Sequence, residues 1–510
     1  MKQILILDFG SQYTQLIARR LREEQVYCEV LPFNTKYEEI LEKDPAGIIL
    51  SGGPCSAYAK GSPHPDERIY SYPKPILGIC YGMQLLALHN GGKVSASKKR
   101  EYGFSEVKIK SKTSKLFKGV PSKITAWMSH GDGVSKLPKN FKLLAETQHA
   151  PSAAEDVKNN RYALQFHPEV VHTQYGAQIL KNFAREICKY SEKWTPSSIL
   201  KQSIEDARAQ VGKQGHIICA LSGGVDSTVV AALLRKAVGD RVYCIFVDTG
   251  LLRLGDRERT IKMAKQMKLN LKVIDAEKLF LGKLAGVSDP EKKRKIIGNT
   301  FIEVFEKEAK KFKDAQYLAQ GTLYPDVIES TSVKGPSATI KSHHNVGGLP
   351  EKMKLKLVEP VRMLFKDEVR ALGRELKLKS EFIDIHPFPG PGLAVRQLGA
   401  VNKADLEVLR KADFIVRDVL HKTGWDKKSW QAFAVLLPIK TVGVMGDERT
   451  YEKTAVIRIV NSVDGMTADW TRLPHDIMQE MSSRIVSETK GINKVVYDIT
   501  SKPPSTIEWE

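Results

Sequence analysis

Long apolar segments and clustered cysteines are both missing from this sequence. No uninterrupted apolar run approaches the roughly 20 residues that a helix needs to cross a bilayer, which argues against a membrane partner, and the start, MKQILILDFG, is typical of a strand rather than of a signal peptide. The six cysteines are scattered over 510 residues, with no CxxC pair and no Cys/His cluster at zinc-ligand spacing. We therefore expect a cytoplasmic protein with reduced thiols, one of which is a candidate for chemistry.

Acidic residues are outnumbered by basic ones. The chain has 79 lysines and arginines against 59 aspartates and glutamates, a net charge of +20, which is compatible with nucleic-acid binding. The lysines, however, lie mostly in helix-like segments such as DPEKKRKIIGNTF and EKEAKKFKD, where a solvated, partly paired helix face is the commoner explanation. We therefore predict no nucleic-acid partner and expect the positive field to favour anionic small substrates.

Internal repeats and low-complexity tracts are absent too, and the hydrophobic pattern indicates three folded parts. Up to about residue 190, short apolar runs alternate with helical periodicity, which predicts an α/β domain with a largely parallel sheet. A second α/β series follows, until HPFPGPG, which begins at residue 386, interrupts regular structure with three prolines and two glycines. The predicted fold class is therefore α/β, with two doubly wound α/β domains (1–193 and 194–385) and a smaller α+β C-terminal domain (386–510).

The segment PILGICYGMQLLAL places Cys80 between two glycines, where an apolar strand changes into a helical pattern. This layout matches a nucleophile elbow, in which the glycines permit a tight strand-to-helix turn. A helix N-terminus beside the sulfur also favours the thiolate. Because free cysteines are commonly buried in cores, this segment alone leaves a structural cysteine as an equal alternative.

The segment YALQFHPEV supplies a base for that cysteine. His167 precedes a proline, which favours an extended conformation, and residues two apart in a strand face the same side, so Glu169 lies beside it. A base oriented by a carboxylate is what a cysteine nucleophile needs. The glycine pair in IILSGGP is predicted to form an oxyanion loop with N–H donors from Gly53 and Tyr81, although a simple strand-to-loop turn is also compatible with it.

A second glycine pair lies in ICALSGGVDST, residues 218–228, between a predicted strand and a predicted helix. Backbone N–H groups and the helix N-terminus at such a turn bind anions, yet the Walker A lysine and the third glycine of a dinucleotide fingerprint are both missing. Asp226 would repel a phosphate unless a divalent cation lay between them, so the loop predicts Mg²⁺ bound by Asp226 and phosphate oxygens. A first-turn carboxylate favoured only by the helix dipole is the alternative.

The motifs SGGP, GICYGMQ and HPE resemble those of the class I, or triad, glutamine amidotransferases. The resemblance implies that Cys80 attacks the carboxamide of glutamine, His167 moves the protons and Glu169 orients His167, with Gln84 contacting the substrate. The products would be glutamate and ammonia. Likewise, SGGVDS is similar to the loop of the ATP pyrophosphatases, which share the adenine nucleotide alpha hydrolase-like fold. That similarity implies that the leaving pyrophosphate is surrounded by Ser222, Gly223, Gly224, Val225, Asp226, Ser227 and Thr228.

Motifs from one end of the chain to the other resemble the GMP synthetases, namely DFGSQYTQLIARRLRE, HPFPGPGLAVR, WQAFAVLLP and KPPSTIEWE. This resemblance implies that ATP, with Mg²⁺, adenylates XMP, that ammonia from glutamine then yields GMP, and that the C-terminal domain forms a homodimer. Lys366 would bind ATP. The implied XMP-binding residues are Arg253, Gln431, Lys494, Lys502, Thr506, Ile507 and Glu508.

One position departs from the pattern that the resemblance implies. Position 494 is lysine where the family is expected to have arginine, and because lysine lacks the bidentate fork, tighter or weaker XMP binding cannot be inferred from it. Without the resemblance, the last residues would be expected to form a frayed tail. The glutamine-dependent NAD synthetases, which carry the same type of ATP loop with a nitrilase-like glutaminase, are the alternative function.

Overall fold

The computed structural model describes residues 2–111, 113–331, 355–445, 447–462, 465 and 467–510. The chain forms two compact units, one of Met1–Ile199 with Thr322–Gly347 and one of Leu200–Gly321 with Gly348–Glu510. Among the described residues, no helix is both long and apolar enough to cross a membrane. The second and third predicted domains fall mostly within one of these units, so this division does not separate them. The predicted domain boundaries at 193 and 385 therefore stay predictions.

Secondary structure alternates along most of the described chain. The strands are β1 (Ile4–Asp8), β2 (Cys28–Pro32), β3 (Gly47–Leu50), β4 (Ile76–Ile79), β5 (Lys93–Ile109), β6 (Lys123–Lys136), β7 (Lys142–Glu146), β8 (Pro151–Asp156), β9 (Arg161–Leu164), β10 (His216–Ala220), β11 (Val242–Asp248), β12 (Asn270–Asp275), β13 (Ala315–Ala319), β14 (Lys356–Val358), β15 (Gln431–Met445), β16 (Glu448–Asn461), β17 (Asp469–Trp470) and β18 (Ile492–Tyr497). The helices are α1 (Thr14–Glu23), α2 (Tyr37–Lys43), α3 (Tyr81–His89), α4 (Gly176–Asn182), α5 (Pro196–Val211), α6 (Val225–Val238), α7 (Asp256–Gln266), α8 (Glu277–Leu284), α9 (Pro290–Ala309), α10 (Tyr324–Thr331), α11 (Lys366–Glu375), α12 (Ser380–Ile383), α13 (Lys403–Thr423) and α14 (His475–Glu488).

The first unit contains a nine-stranded sheet in the order β2, β1, β3, β4, β9, β8, β7, β5, β6. The strands from β2 to β9 pair in parallel, and their short apolar sequences are almost entirely buried, as expected for strands covered on both faces. The strands from β9 to β6 pair antiparallel. The sheet is therefore less parallel than predicted, because β5 to β9 follow one another without the crossover helices that parallel pairing needs.

The second unit contains a parallel sheet in the order β12, β11, β10, β13, β14, and a smaller mixed sheet formed by β15 to β18. Strand β10 is central in the parallel sheet, and helix α6 begins a few residues after it ends. The connection between them therefore lies at the carboxyl edge of the sheet, where ligands bind in open α/β folds. Together the sheets confirm the predicted α/β fold class with a smaller α+β part.

Candidate active sites

Cys80 occupies a strained turn between β4 and α3. Its backbone has φ +53° and ψ −103°, a conformation that is uncommon for a residue with a side chain and is often found at functional sites. A Cβ at Gly78 would lie 2.4 Å from the carbonyl of Gly82, and one at Gly82 would lie 2.3 Å from the carbonyl oxygen of Leu50. Only glycine therefore fits on both sides of Cys80, which gives the elbow its tight geometry.

The three predicted catalytic side chains meet at this elbow. His167 Nδ1 lies 2.7 Å from Glu169 Oε1, with the two side chains 3% and 0% exposed. Burial lowers the pKa of His167, but the Glu169 carboxylate and the hydrogen-bonded sulfur of Cys80 together hold it well above its ordinary value. The arrangement thus favours an imidazolium between a carboxylate and a sulfur, which is the electrostatic setting of an activated cysteine.

The predicted oxyanion loop lies beside the elbow. Gly53 packs so closely on Tyr81 that a Cβ would come within 3.3 Å of the Tyr81 ring, and Gly82 N–H donates to the Ser51 carbonyl at 3.1 Å. The side chain of Gln84 is buried and donates to the main-chain carbonyl of Asp132 at 3.0 Å. These contacts bring the predicted oxyanion residues together, and their roles stay predictions.

The loop after β10 has the form expected of an anion-binding turn. Gly223 has φ +76°, and a Cβ there would lie 2.4 Å from Thr260 Oγ1, so glycine is required on both conformational and steric grounds. Ser222 and Ser227 hydroxyls lie 3.0 Å apart, and Gly224 N–H donates to Ser222 Oγ at 3.2 Å. Helix α6 starts at Val225 with Gly224 as its N-cap, so its first N–H groups face the loop. The remaining predicted loop residues, Val225 and Thr228, are buried beneath it.

Asp226, in the first turn of α6, forms an ion pair with Lys366, the first residue of α11. Lys366 Nζ lies 2.5 Å from Asp226 Oδ2, with both side chains partly exposed. The other carboxylate oxygen, Oδ1, is buried and lacks a hydrogen-bond partner among the described residues. Because buried polar atoms are nearly always satisfied, this oxygen fits a bound cation. The structure thus places the predicted ATP-binding lysine and the predicted metal ligand side by side.

Two of the predicted XMP-binding residues contact each other. Gln431 Nε2 donates to Glu508 Oε1 at 2.8 Å, and Arg396, which is fully buried, binds the same carboxylate through two nitrogens at 2.8 and 3.1 Å. The guanidinium groups of Arg396 and Arg253 both lie over the Phe388 ring, 5.2 and 4.5 Å from its centroid. Arg253 is in turn paired with an aspartate. This cluster is a polar site built around one carboxylate.

The remaining predicted XMP-binding residues are distributed along the last segments of the chain. Lys502 Nζ donates to the Gly465 carbonyl at 2.7 Å, and the Thr506 carbonyl accepts from a buried arginine at 3.1 Å. Ile507 is buried in a cluster with apolar residues of β15 and β16. Lys494 lies on β18 with its side chain exposed. The structure thus anchors the tail that contains Thr506 and Glu508, while Lys494 stands apart on a strand surface.

Comparison with known proteins identifies the family. The family model for class I glutamine amidotransferases matches residues 5–187, that for NAD synthase 197–297, and that for the GMP synthase C-terminal domain 418–509. A glutamine-hydrolyzing GMP synthase from Elusimicrobium minutum is 77% identical, and the match covers 100% of both chains. The chain belongs to the glutamine-hydrolysing GMP synthase family. A family member from Aliarcobacter butzleri is 56% identical, and the match covers 99% of both chains. A glutamine amidotransferase structure from Thermotoga maritima is 24% identical. That match covers 36% of this chain and 81% of the other, with a TM-score of 0.29.

GMP synthase family membership decides between the two enzyme functions considered from the sequence. The NAD synthase model matches only the segment that contains the ATP loop, whereas relatives named GMP synthase match the full chain. The alternative of an NAD synthetase is therefore not favoured. As in other members of the family, the chain is a glutamine-dependent ligase.

Sequence reasoning missed a strand segment that lines the cysteine site of this GMP synthase family member. The Cys80 thiol lies 3.9 Å from the carbonyl of Ser129, and the carbonyl of Asp132 accepts the amide of Gln84. Between them, His130 is buried 3.4 Å from Glu101. The sequence signal was present, since MSHGD interrupts the alternation of β6 with polar residues and a glycine, but nothing local connects it to the elbow. Arg396 was missed as well.

Proposed function

We propose that this protein converts XMP to GMP, consuming ATP, glutamine and water and releasing AMP, pyrophosphate and glutamate. The observation that carries the proposal is the occurrence, in one chain similar over its whole length to GMP synthases, of a buried Cys–His–Glu triad and an anion-binding loop with an orphaned carboxylate oxygen. The first feature supports release of ammonia and the second supports activation by ATP. Each covers one half of the reaction.

Glutamine hydrolysis is assigned to the triad. The Cys80 sulfur attacks the carboxamide carbon, and the oxyanion is stabilised by N–H groups of Gly53 and Tyr81. His167, oriented by Glu169 at 2.7 Å, transfers a proton to the leaving ammonia and later removes one from the water that releases glutamate. The raised pKa of His167 supports its protonated role in the first of these steps.

Adenylation is assigned to the loop at 222–228. The xanthine O2 attacks the α-phosphorus of ATP and pyrophosphate leaves, after which ammonia adds at C2 and AMP departs. Mg²⁺ is commonly held by one or two carboxylates and substrate phosphates, and the loop supplies one carboxylate, that of Asp226. Asp226 would hold it through the orphaned Oδ1, and when bound it would neutralise phosphate charge. Lys366 supplies a further positive charge.

The acceptor nucleotide is assigned to the second unit's polar cluster and tail. Glu508, held by Arg396 and Gln431, presents a carboxylate that accepts hydrogen bonds from N–H groups of the base. Lys494 and Lys502 are assigned to the nucleotide phosphate, to which they would contribute positive charge, and Arg253, paired with Asp256 in the cluster, stays a proposed XMP-binding residue. XMP, ATP and glutamine are the proposed partners, and a cytoplasmic location without nucleic-acid or membrane partners stays a prediction.

Product analysis tests this function. Incubating the purified protein with ATP, Mg²⁺, glutamine and XMP should yield equal amounts of GMP, AMP, pyrophosphate and glutamate. Release of ADP would indicate a kinase-like activation instead, and replacing XMP by deamido-NAD tests the synthetase that is not favoured. Absence of GMP with every nitrogen source would exclude the proposal.

The Glu169→Gln variant should lose roughly tenfold to a hundredfold in kcat/KM for glutamine while keeping its ammonium-dependent synthesis. The Glu169 charge raises the pKa of His167, so its removal lowers that pKa and moves the alkaline limb of the pH profile to lower pH. The free energy of unfolding should depend on pH for the same reason. The imidazolium stabilises the folded wild type below the pKa of an unfolded histidine, about 6.5, and this contribution is lost as pH rises through the higher folded pKa. Steady-state kinetics and urea unfolding across pH measure both. An unshifted alkaline limb would contradict the assigned role of Glu169.

A homodimer formed through the C-terminal part is the proposed assembly. The hairpin of β15 and β16 exposes Ile439, Val442, Val444 and Tyr451, and Val442 is paired with Tyr451 across the strands. An exposed apolar surface of this kind marks an interaction site. The double variant Val442→Glu with Val444→Glu should therefore be monomeric by light scattering at concentrations where the wild type is dimeric, whereas Leu41→Glu, an exposed leucine of the first unit, should leave the dimer intact. A dimeric double variant would place the interface elsewhere.

A further inference from the structure

Lys293 is a wholly buried lysine in the first turn of α9, with 0% of its side chain exposed. Its ammonium group has three partners: the carbonyls of Ala394 and Gln397, at 3.0 and 2.9 Å, and the carboxylate of Glu510. A lysine has three N–H donors, and all three are accounted for. Burying an ammonium is costly unless it is paired and hydrogen-bonded in this way, so the position of Lys293 is tied closely to those of its partners.

The partners of Lys293 belong to the two segments that form the Glu508 cluster. Ala394 and Gln397 flank Arg396, which binds the Glu508 carboxylate through two nitrogens. Glu510 lies two residues after Glu508 in an irregular segment. The Lys293 ammonium group therefore fixes two segments. One carries the Arg396 guanidinium, and the other carries the Glu508 carboxylate to which Arg396 binds.

Glu510 receives further contacts that restrict the end of the chain. The Gly399 N–H donates to Glu510 Oε1 at 3.3 Å, and Arg294, the residue next to Lys293, donates to the main-chain oxygen of Glu510 at 2.5 Å. The Glu510 side chain is only 9% exposed. Because Glu510 is held at both its side chain and its backbone, the Glu508 carboxylate two residues earlier can move little.

We infer that Lys293 and Glu510 form a positioning pair that holds Glu508 in the geometry needed to bind the XMP base, without contacting the nucleotide themselves. The inference rests on the proposed function, which assigns Glu508 to XMP. It assigns to α9 a role in binding XMP, although this helix belongs neither to the loop at 222–228 nor to the tail that contains Thr506 and Glu508.

Two substitutions and a matched control test the pair in the full-length enzyme with ammonium as the nitrogen source. Glu510→Gln removes the charge at nearly constant size, and Lys293→Met removes its partner. Each should raise KM for XMP about tenfold or more, while kcat falls less than about threefold and KM for ATP stays within about twofold. Lys295→Met, an exposed lysine of the same helix turn, should match the wild type in all three parameters.

The double variant separates positioning from general destabilisation. If the two residues act as one pair, Lys293→Met with Glu510→Gln should raise KM for XMP no more than the worse single variant, because the second change removes a partner already lost. Multiplying effects, or an unchanged KM for XMP in a folded Glu510→Gln protein, would overturn the inference. A rise in KM for ATP as large as the rise in KM for XMP, together with a lowered melting temperature, would overturn it as well. A wild type that makes no GMP would instead overturn the proposed function.

Discussion

Replacing Cys80 by alanine is expected to lower glutamine-dependent GMP synthesis by more than about a thousandfold and to leave ammonium-dependent synthesis within about twofold of the wild type. The sulfur is the proposed nucleophile, and neither His167 nor Glu169 is expected to replace it, since both side chains are buried and pair with each other through His167 Nδ1 and Glu169 Oε1. Ammonium supplied from solution bypasses glutamine hydrolysis altogether. The residues proposed to carry out adenylation belong to the other compact unit and do not include the sulfur.

Parallel assays with glutamine and with ammonium chloride at elevated pH measure the two activities on one preparation. Cys55→Ala is the matched control, because Cys55 is an exposed cysteine of the same unit and should leave both activities unchanged. Loss of both activities in Cys80→Ala would refute the division of labour between the triad and the ATP loop. Retention of glutamine-dependent synthesis would show that another residue is the nucleophile.

The triad could be predicted from the sequence because its signals are local. Glycines at 78 and 82 predict a tight turn, and the structure shows that a Cβ at either would collide with backbone. The pair His167 and Glu169 needs only the geometry of an extended chain to lie together. The meeting of His167 with Cys80 follows because β4 and β9 are neighbours in a parallel sheet, so both residues emerge at the same carboxyl edge.

The acceptor site could not be predicted in the same way, because its contacts join distant parts of the chain. The segment DPEKKRKIIGNTF was interpreted as a solvated helix face, and Lys292 and Lys295 are indeed exposed. For Lys293 that interpretation is wrong: it is completely buried, with partners 101, 104 and 217 residues away. Helical periodicity places Lys293 four residues before the buried Ile297, on the buried face of α9, but it does not indicate which distant residues would pair with a lysine there. The expectation of a frayed tail without the family resemblance fails for the same reason, since Ile507 packs in a cluster formed by the smaller sheet.

The Asp226→Asn variant should lose about a thousandfold in synthesis from both glutamine and ammonium, because it acts on the activation step that the two nitrogen sources share. Asparagine keeps the shape of the side chain and can still accept a hydrogen bond from Lys366, so the ion pair at 2.5 Å becomes a hydrogen bond from the charged lysine to a neutral amide without leaving a void. The substitution removes the negative charge of the carboxylate to which the orphaned Oδ1 belongs. If that oxygen binds Mg²⁺, the residual activity should require a higher Mg²⁺ concentration for half-saturation.

Titrating Mg²⁺ at fixed ATP and XMP, with pyrophosphate release as the readout and no nitrogen source present, isolates the step in which Asp226 takes part. Asp240→Asn is the control, an exposed aspartate just beyond the other end of α6, and should leave the Mg²⁺ dependence unchanged. The alternative, in which Asp226 only complements the helix dipole, predicts a small loss of stability of about 0.3–1 kcal/mol and an unaltered Mg²⁺ requirement. The two explanations therefore differ in the metal titration, and an unchanged half-saturating concentration would leave Asp226 as a structural residue of the helix N-terminus.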